Sequence, residues 1–239
     1  FLNRVVSGLS TPGSIVKPIV ALGALNEKVI DPYKEILSTG ALTLPNPYNP
    51  DKPSIFKDWK AHGLVNMREA IAMSSDVYFY EVGGGFGNQK GLGITKLDEY
   101  FSLFGYNEFT GIDLPSESLG YIATPQWKAE NFPDDTDWRV GNTYHTSIGQ
   151  YGTQITPLSA VRSIAAIANG GKMLKPSVLL GGQTTEARVT RSIDLNQEYF
   201  DVVREGMRQA VTAGTASGLS KPEVKIAAKT GTAELGLRK

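Results

Sequence analysis

Thr11-Pro12-Gly13-Ser14-Ile15-Val16-Lys17-Pro18 decides how this chain folds and what chemistry it carries. Thr11-Pro12-Gly13 is a turn signal that starts a helix at about Ser14. Pro18 is tolerated only in a first turn, which pins that register. Residues i and i+3 of a helix share a face, so the Lys17 amine is expected to reach the Ser14 hydroxyl. The helix N-terminus carries partial positive charge, which favours negative charge developing near Ser14. The same charge, like burial, disfavours a protonated Lys17. A hydroxyl beside a neutral amine is an activated nucleophile, with lysine in place of histidine. Alone the pattern is weak, because 17 serines and 15 lysines in 239 residues give about one Ser-x-x-Lys by chance. A second copy, Ser54-Ile55-Phe56-Lys57, lies in a Pro-rich stretch with no apolar helix behind it and reads as chance.

Working outward, Val16, Ile19, Val20, Leu22 and Leu25 continue the helical face as far as Asp31-Pro32. Residues 39–60 read as an extended surface loop and 111–138 as turn-rich. Helices are expected over Asn66–Met73, Val77–Val82, Thr95–Phe104 and Pro157–Ala168. The last of these starts at Thr156-Pro157 as N-cap and first residue. A further helix is expected over Asp194–Ala213, with Asp194 as its N-cap. Val224–Ala228 alternates as a short strand and leads into Lys229-Thr230-Gly231-Thr232. The reading is α/β (α+β): a helical body of about 14–220 packed on an antiparallel sheet only partly present, whose strand over about 224–232 carries Lys229.

Two further segments carry chemistry. Ser74-Ser75-Asp76 falls between two short helices, where a hydroxyl and a carboxylate can project into a cleft. Its bland alternative is a cap for the following helix. Lys229-Thr230-Gly231-Thr232 offers a cation and hydroxyls suited to a carboxylate. Gly231 permits close approach of a ligand backbone, and the Thr232 N–H is a donor for an oxyanion. By composition this tetrapeptide arises by chance in about one such chain in a hundred, so it is the most specific of the three.

The rest of the composition mainly excludes. Charges balance at 24 basic and 24 acidic residues, giving no argument for nucleic acid. There is no cysteine and only His62 and His145, so neither a structural zinc site nor any other metal is expected. No Gly-x-Ser-x-Gly accompanies the histidines, which read as structural or surface residues. Gly83-Gly84-Gly85-Phe86-Gly87 lacks the rest of a phosphate loop. Asp134-Asp135-Thr136-Asp137 reads as a solvated turn, and Trp59, Trp127 and Trp138 as packing anchors ahead of their alternative, the lining of a peptide groove. The start at Phe1 and the end at Lys239 read as the middle of a longer protein.

The order Ser-x-x-Lys, Ser-x-Asp, Lys-Thr-Gly resembles the penicillin-binding protein and serine β-lactamase superfamily. Thr11 to Pro18 is similar to the corresponding segment of class B transpeptidases. Trp59–Tyr80, Gly111-Ile112-Asp113-Leu114-Pro115-Ser116-Glu117 and Ser147-Ile148-Gly149-Gln150 with Thr156-Pro157-Leu158 resemble the elongation-type, PBP2-like members. The likeness implies one transpeptidase domain over 1–239, truncated at both ends, and a segment poorly stable or inactive by itself. It implies that Ser14 is acylated by a D-Ala-D-Ala stem peptide with Lys17 as base and Ser74 relaying a proton to departing D-alanine. Lys229, Thr230, Gly231 and Thr232 would hold the substrate, and amides of Ser14 and Thr232 would line the oxyanion hole. An acceptor amine would then resolve the acyl-enzyme, and β-lactams would enter the same path.

No cofactor is implied. A SEDS-type glycan polymerase and cell-elongation proteins are implied as partners. The implied location is the periplasmic face of the cytoplasmic membrane, with the anchor outside this chain. Asp76 departs from the family's usual Asn and leaves its own role open between Lys17 and Lys229. A β-lactam sensor, a D,D-carboxypeptidase and a β-lactamase share these motifs. Glu117 and Glu130 lie where a β-lactamase carries its deacylating Glu, in contexts unlike it. A scaffold that has lost catalysis is a further alternative.

Overall fold

The structure is a computed structural model describing residues 2–46, 48–179 and 188–234. At its centre lies the helix that follows Ser14. Its first turn is 3-10 over Gly13–Val16 and continues as an α-helix over Lys17–Asn26, with every residue from Lys17 to Leu25 buried. A helix apolar on all sides must be wrapped by other elements.

Taken in chain order, α1 is Arg4–Ser7 and α2 is Lys17–Asn26. Strands β1 (Ile36–Ser38), β2 (Ala41–Leu44), β3 (Ser54–Lys57) and β4 (Gly63–Val65) follow. Then come α3 (Met67–Met73), α4 (Asp76–Gly84), α5 (Gly93–Leu103), α6 (Pro125–Asn131), α7 (Val140–Ser147) and α8 (Pro157–Ala168). Strands β5 (Lys172–Leu174) and β6 (Val189–Ser192) precede α9 (Gln197–Thr212). Among the described residues the strands form three antiparallel pairs, β1 with β4, β2 with β3 and β5 with β6. α2 packs against α3, α4, α5 and α9. Gly23 on α2 takes the Tyr100 ring of α5, where a Cβ would stand 3.0 Å from the ring.

The mixed helix-and-strand class stands as expected, and the α8 limits agree with the sequence reading. Several local expectations are corrected. Residues 39–60 hold β2 and β3, paired from Ala41↔Lys57 to Leu44↔Ser54, rather than only a loop. The turn-rich stretch contains α6, capped by Thr124 with proline in its first turn. α9 starts after Asn196, whose side chain accepts from the Glu198 N–H, so Asp194 is not its cap.

The strand expected over 224–232 is absent. A strand needs a partner ladder, and alternation alone supplies none. Here the Ala228 N–H donates to Met207 O at 2.9 Å and the Arg208 guanidinium to Ile226 O at 2.7 Å. These two bonds tie the segment to α9 instead of to a sheet.

Candidate functional site

Three glycine contacts bring the distant motifs together. Gly13 has φ +58°, and a Cβ there would lie 2.3 Å from Thr232 O. Its own N–H donates to Gly149 O at 2.9 Å. A Cβ on Gly149 would lie 2.2 Å from Gly13 O, and one on Gly231 would lie 2.8 Å from Ile15. Gly231 therefore seats its own segment on the Ser14 turn, a packing reason beyond the ligand approach expected from sequence. Gln150 straps the same junction, donating to Thr232 O at 3.0 Å and accepting from the Glu234 N–H at 3.3 Å.

Ser74 closes the middle of the site. It ends α3 in the left-handed conformation, φ 57° and ψ 38°, unusual for a residue with a Cβ. That turn aims its carbonyl and hydroxyl at Lys17 Nζ, at 2.7 and 3.3 Å. Lys17 also donates to Asp76 Oδ1 at 2.6 Å. From the other side, Lys229 Nζ donates to Ser74 Oγ at 2.7 Å and to Thr230 O at 3.1 Å. Thr230 Oγ1 meets Thr215 Oγ1 at 2.8 Å. Ser74 Oγ thus sits between two amines that come from positions 57 and 155 residues away.

Ser14 lies on the same cleft, of about 700 Å³, with Ser74, Asp76, Thr230 and Thr232. The 3-10 turn matters here, because i and i+3 side chains eclipse in that geometry, which sets Lys17 behind Ser14. One expectation is modified. The three donors of Lys17 go to Ser74 and Asp76, and among the described residues none goes to Ser14 Oγ. Asp76, a carboxylate, draws the amine toward itself. The capping alternative for the second motif is also partly right. Ser75, not Ser74, caps α4, accepting from the Tyr78 N–H at 3.3 Å.

Burial sets the charges. Lys17 is 0% exposed, and desolvation pulls its pKa down against the opposing pull of Asp76. Burial pushes Asp76 up, with Lys17 acting against it. Lys229 is brought down to about 7, first by desolvation and then by the charge of Lys17.

Several site residues gave no clear signal. Asp58 stands in the stretch read as loop, yet its side chain is 0% exposed. Its Oδ2 accepts from Ser75 Oγ at 2.9 Å, the Asp76 N–H at 2.8 Å and the Val77 N–H at 3.0 Å, holding the start of α4. Asp58→Ala leaves those buried donors unpaired. It is expected to cost about 3–5 kcal/mol in chemical denaturation, since three donors at the start of α4 lose their acceptor together. Phe56, Lys57, Trp59, Tyr80 and His145 also line the cleft. Ser54-Ile55-Phe56-Lys57 is indeed no helical motif, but β3 carries Phe56 and Lys57 to the site.

Trp59 is 57% exposed and lines the cleft, so the groove alternative holds for it and the packing role does not. Trp127 does pack, against Phe132 and Tyr151. His145 is on the cleft wall and His62 meets Asp58 at 3.4 Å. Glu117 binds the Thr110 N–H and Glu130 meets Gln126, so neither lies in the cleft. Asp135 is engaged by Lys128 and Arg139, consistent with a structural turn.

The family model of the penicillin binding protein transpeptidase domain matches residues 1–239. The chain belongs to that family. The peptidoglycan D,D-transpeptidase MrdA of Acinetobacter baumannii is 36% identical to this transpeptidase-domain chain over 242 residues, covering 98% of it and 34% of the relative. A penicillin-binding protein (PBP2) from Helicobacter pylori superposes with a TM-score of 0.82 at 32% identity, over 98% of this chain and 42% of that one. The same H. pylori protein in complex with MreC gives 0.79 at 31% identity, over 98% and 42%. The transpeptidase-domain chain thus spans about a third of the length of this curated relative. Among the described residues, no helix is long and apolar enough to cross a membrane.

Proposed function

We propose that this chain provides the acyl-transfer site of a peptidoglycan D,D-transpeptidase. The observation that carries this reading is the line Lys17 Nζ, Ser74 Oγ, Lys229 Nζ, with contacts of 3.3 and 2.7 Å, beside Ser14 in one cleft. Ser14 Oγ attacks the carbonyl of the D-Ala-D-Ala amide and gives its proton to neutral Lys17. Donors of the Ser14 turn and of Thr232 take the charge that develops on the carbonyl oxygen. As the C–N bond breaks, the proton passes through Ser74 Oγ to the departing amine of D-alanine. The terminal carboxylate docks on Lys229, Thr230 and Thr232, and Gly231 keeps that segment against the Ser14 turn. A primary amine of a second stem peptide then attacks the ester carbonyl and gives a proton to Lys17, and as the carbonyl carbon–Oγ bond breaks Lys17 returns that proton to Ser14 Oγ. A β-lactam acylates Ser14 by the same route, and its leaving nitrogen stays tethered.

The names of the relatives support the cross-linking reading, and the H. pylori complex with MreC supports cell-elongation proteins as partners. A SEDS-type glycan polymerase beside the domain and a periplasmic location belong to the same proposal. The test is to give the full-length protein a stem pentapeptide ending in D-Ala-D-Ala and an acceptor with a free primary amine. D-alanine release together with an amide-linked dimer is expected, and neither from Ser14→Ala. Hydrolysed donor without dimer indicates a carboxypeptidase, and rapid penicillin turnover a β-lactamase. Stable penicillin labelling with no D-alanine release indicates a sensor.

A further inference from the structure

Lys17 and Asp76 meet at 2.6 Å, with side chains 0% and 20% exposed. Lys17 must shed a proton before it can take one from Ser14, and its amine is closed off from water. The carboxylate that touches it is the nearest place for that proton to go. We propose that Asp76 is the internal proton store of the site: it takes the Lys17 proton within the pair and so creates the neutral base without exchange with solvent. This rests on the acyl-transfer reading given above.

The step is a proton shift from Lys17 Nζ to Asp76 Oδ1, with no change in net charge. Rotation about the last carbon–nitrogen bond then turns the amine's lone pair toward Ser14. The amine takes the Ser14 proton as Oγ bonds to the carbonyl carbon. It returns that proton through Ser74 to the leaving nitrogen, so it is neutral again in the acyl-enzyme. Asp76 acts through Lys17 and does not touch the substrate carbonyl. Burial moves both partners toward their neutral forms, Lys17 down and Asp76 up. The other titratable groups facing Asp76 are Asp58, which disfavours its charge, and Lys229, which favours it. Tyr80 and His145 feel its charge from α4 and α7. Ser74 O, at 2.7 Å from Lys17 Nζ, keeps the amine in place whichever partner holds the proton.

A pair that shares one proton keeps a constant fraction of neutral lysine while it holds that proton. A lone lysine does not: its neutral fraction falls tenfold for each pH unit below its pKa. The experiment is the second-order rate of benzylpenicillin acylation of the full-length protein, read from about pH 5.5 to 7, for wild type and Asp76→Asn. The wild-type rate is expected to be level across that range. The Asp76→Asn rate is expected to climb toward about tenfold per unit at the acid end, and a cooperative melt checks that the variant folds. A wild-type rate that itself rises tenfold per unit overturns the proposal, even if the variant fails to fold. Superimposable profiles also overturn it. Absence of acylation in wild type sinks the acyl-transfer reading as well, so the two failures are separate.

Discussion

Replacing Lys17 by methionine is expected to slow acylation of Ser14 by benzylpenicillin about 10³-fold, within the range a general base contributes. Methionine fills much of the same buried volume next to Phe79, whose ring centre lies 5.5 Å from Lys17 Nζ. It supplies no lone pair basic enough to take the Ser14 proton. The loss is not only chemical, because removing one partner of a buried ion pair commonly costs about 3–5 kcal/mol. Asp76 softens that cost, since burial already pushes its pKa up and lets it neutralise by protonation. A cooperative melt with a reduced midpoint is therefore expected beside the kinetic loss. Labelling at the wild-type rate with fluorescent penicillin would remove Lys17 from the mechanism.

Gly13→Ala is the second large effect. The new Cβ would lie 2.3 Å from Thr232 O and 2.9 Å from its carbon, so one backbone must move. The left-handed φ of +58° adds about 1 kcal/mol for any residue with a Cβ. A displacement on the order of 1 Å between the Ser14 turn and Thr232 is expected to reduce acylation about 10²-fold. Gly63 separates collision from strain. It has φ +75°, yet nothing lies within 4 Å of where its Cβ would be. Gly63→Ala should lower stability by about 1 kcal/mol and leave the acylation rate unchanged. Equal kinetic losses in both variants would mean that the close approach of the Gly13 and Thr232 backbones has no special role.

What could be read from the sequence followed the range of the interactions. α8 announces itself through Thr156-Pro157 and a long apolar face, both local features. α6 has the same start at Thr124-Pro125, but its body, Gln126-Trp127-Lys128-Ala129-Glu130-Asn131, shows no apolar period. β2 and β3 are four residues each and become strands only by pairing with one another. The residues around Lys229 alternate as a strand should, yet the backbone partners they find are on α9. Propensity was a weak guide there because a ladder is a property of two segments.

The site divided in the same way. Ser14, Ser74, Asp76 and Lys229 stand in short motifs that combine reactive side chains with turn residues. Asp58 is an ordinary aspartate in a loop until packing sets it at the start of α4, 18 residues along the chain. Gly149 and Gln150 matter only because their turn touches Gly13 and Thr232. Pairing of Asp76 with Lys17 was one of the two partnerships open in the sequence, but that it would draw the amine away from Ser14 was not legible. It depends on the left-handed turn at Ser74, which ordinary helix periodicity does not foretell.

The most direct measurement is to expose the full-length protein to benzylpenicillin, digest it and locate the penicilloyl group by mass spectrometry. A single ester on the peptide containing Ser14, absent from Ser14→Ala, is the result expected. An adduct on any other side chain, or one of equal yield in Ser14→Ala, would mean that Ser14 is not the nucleophile.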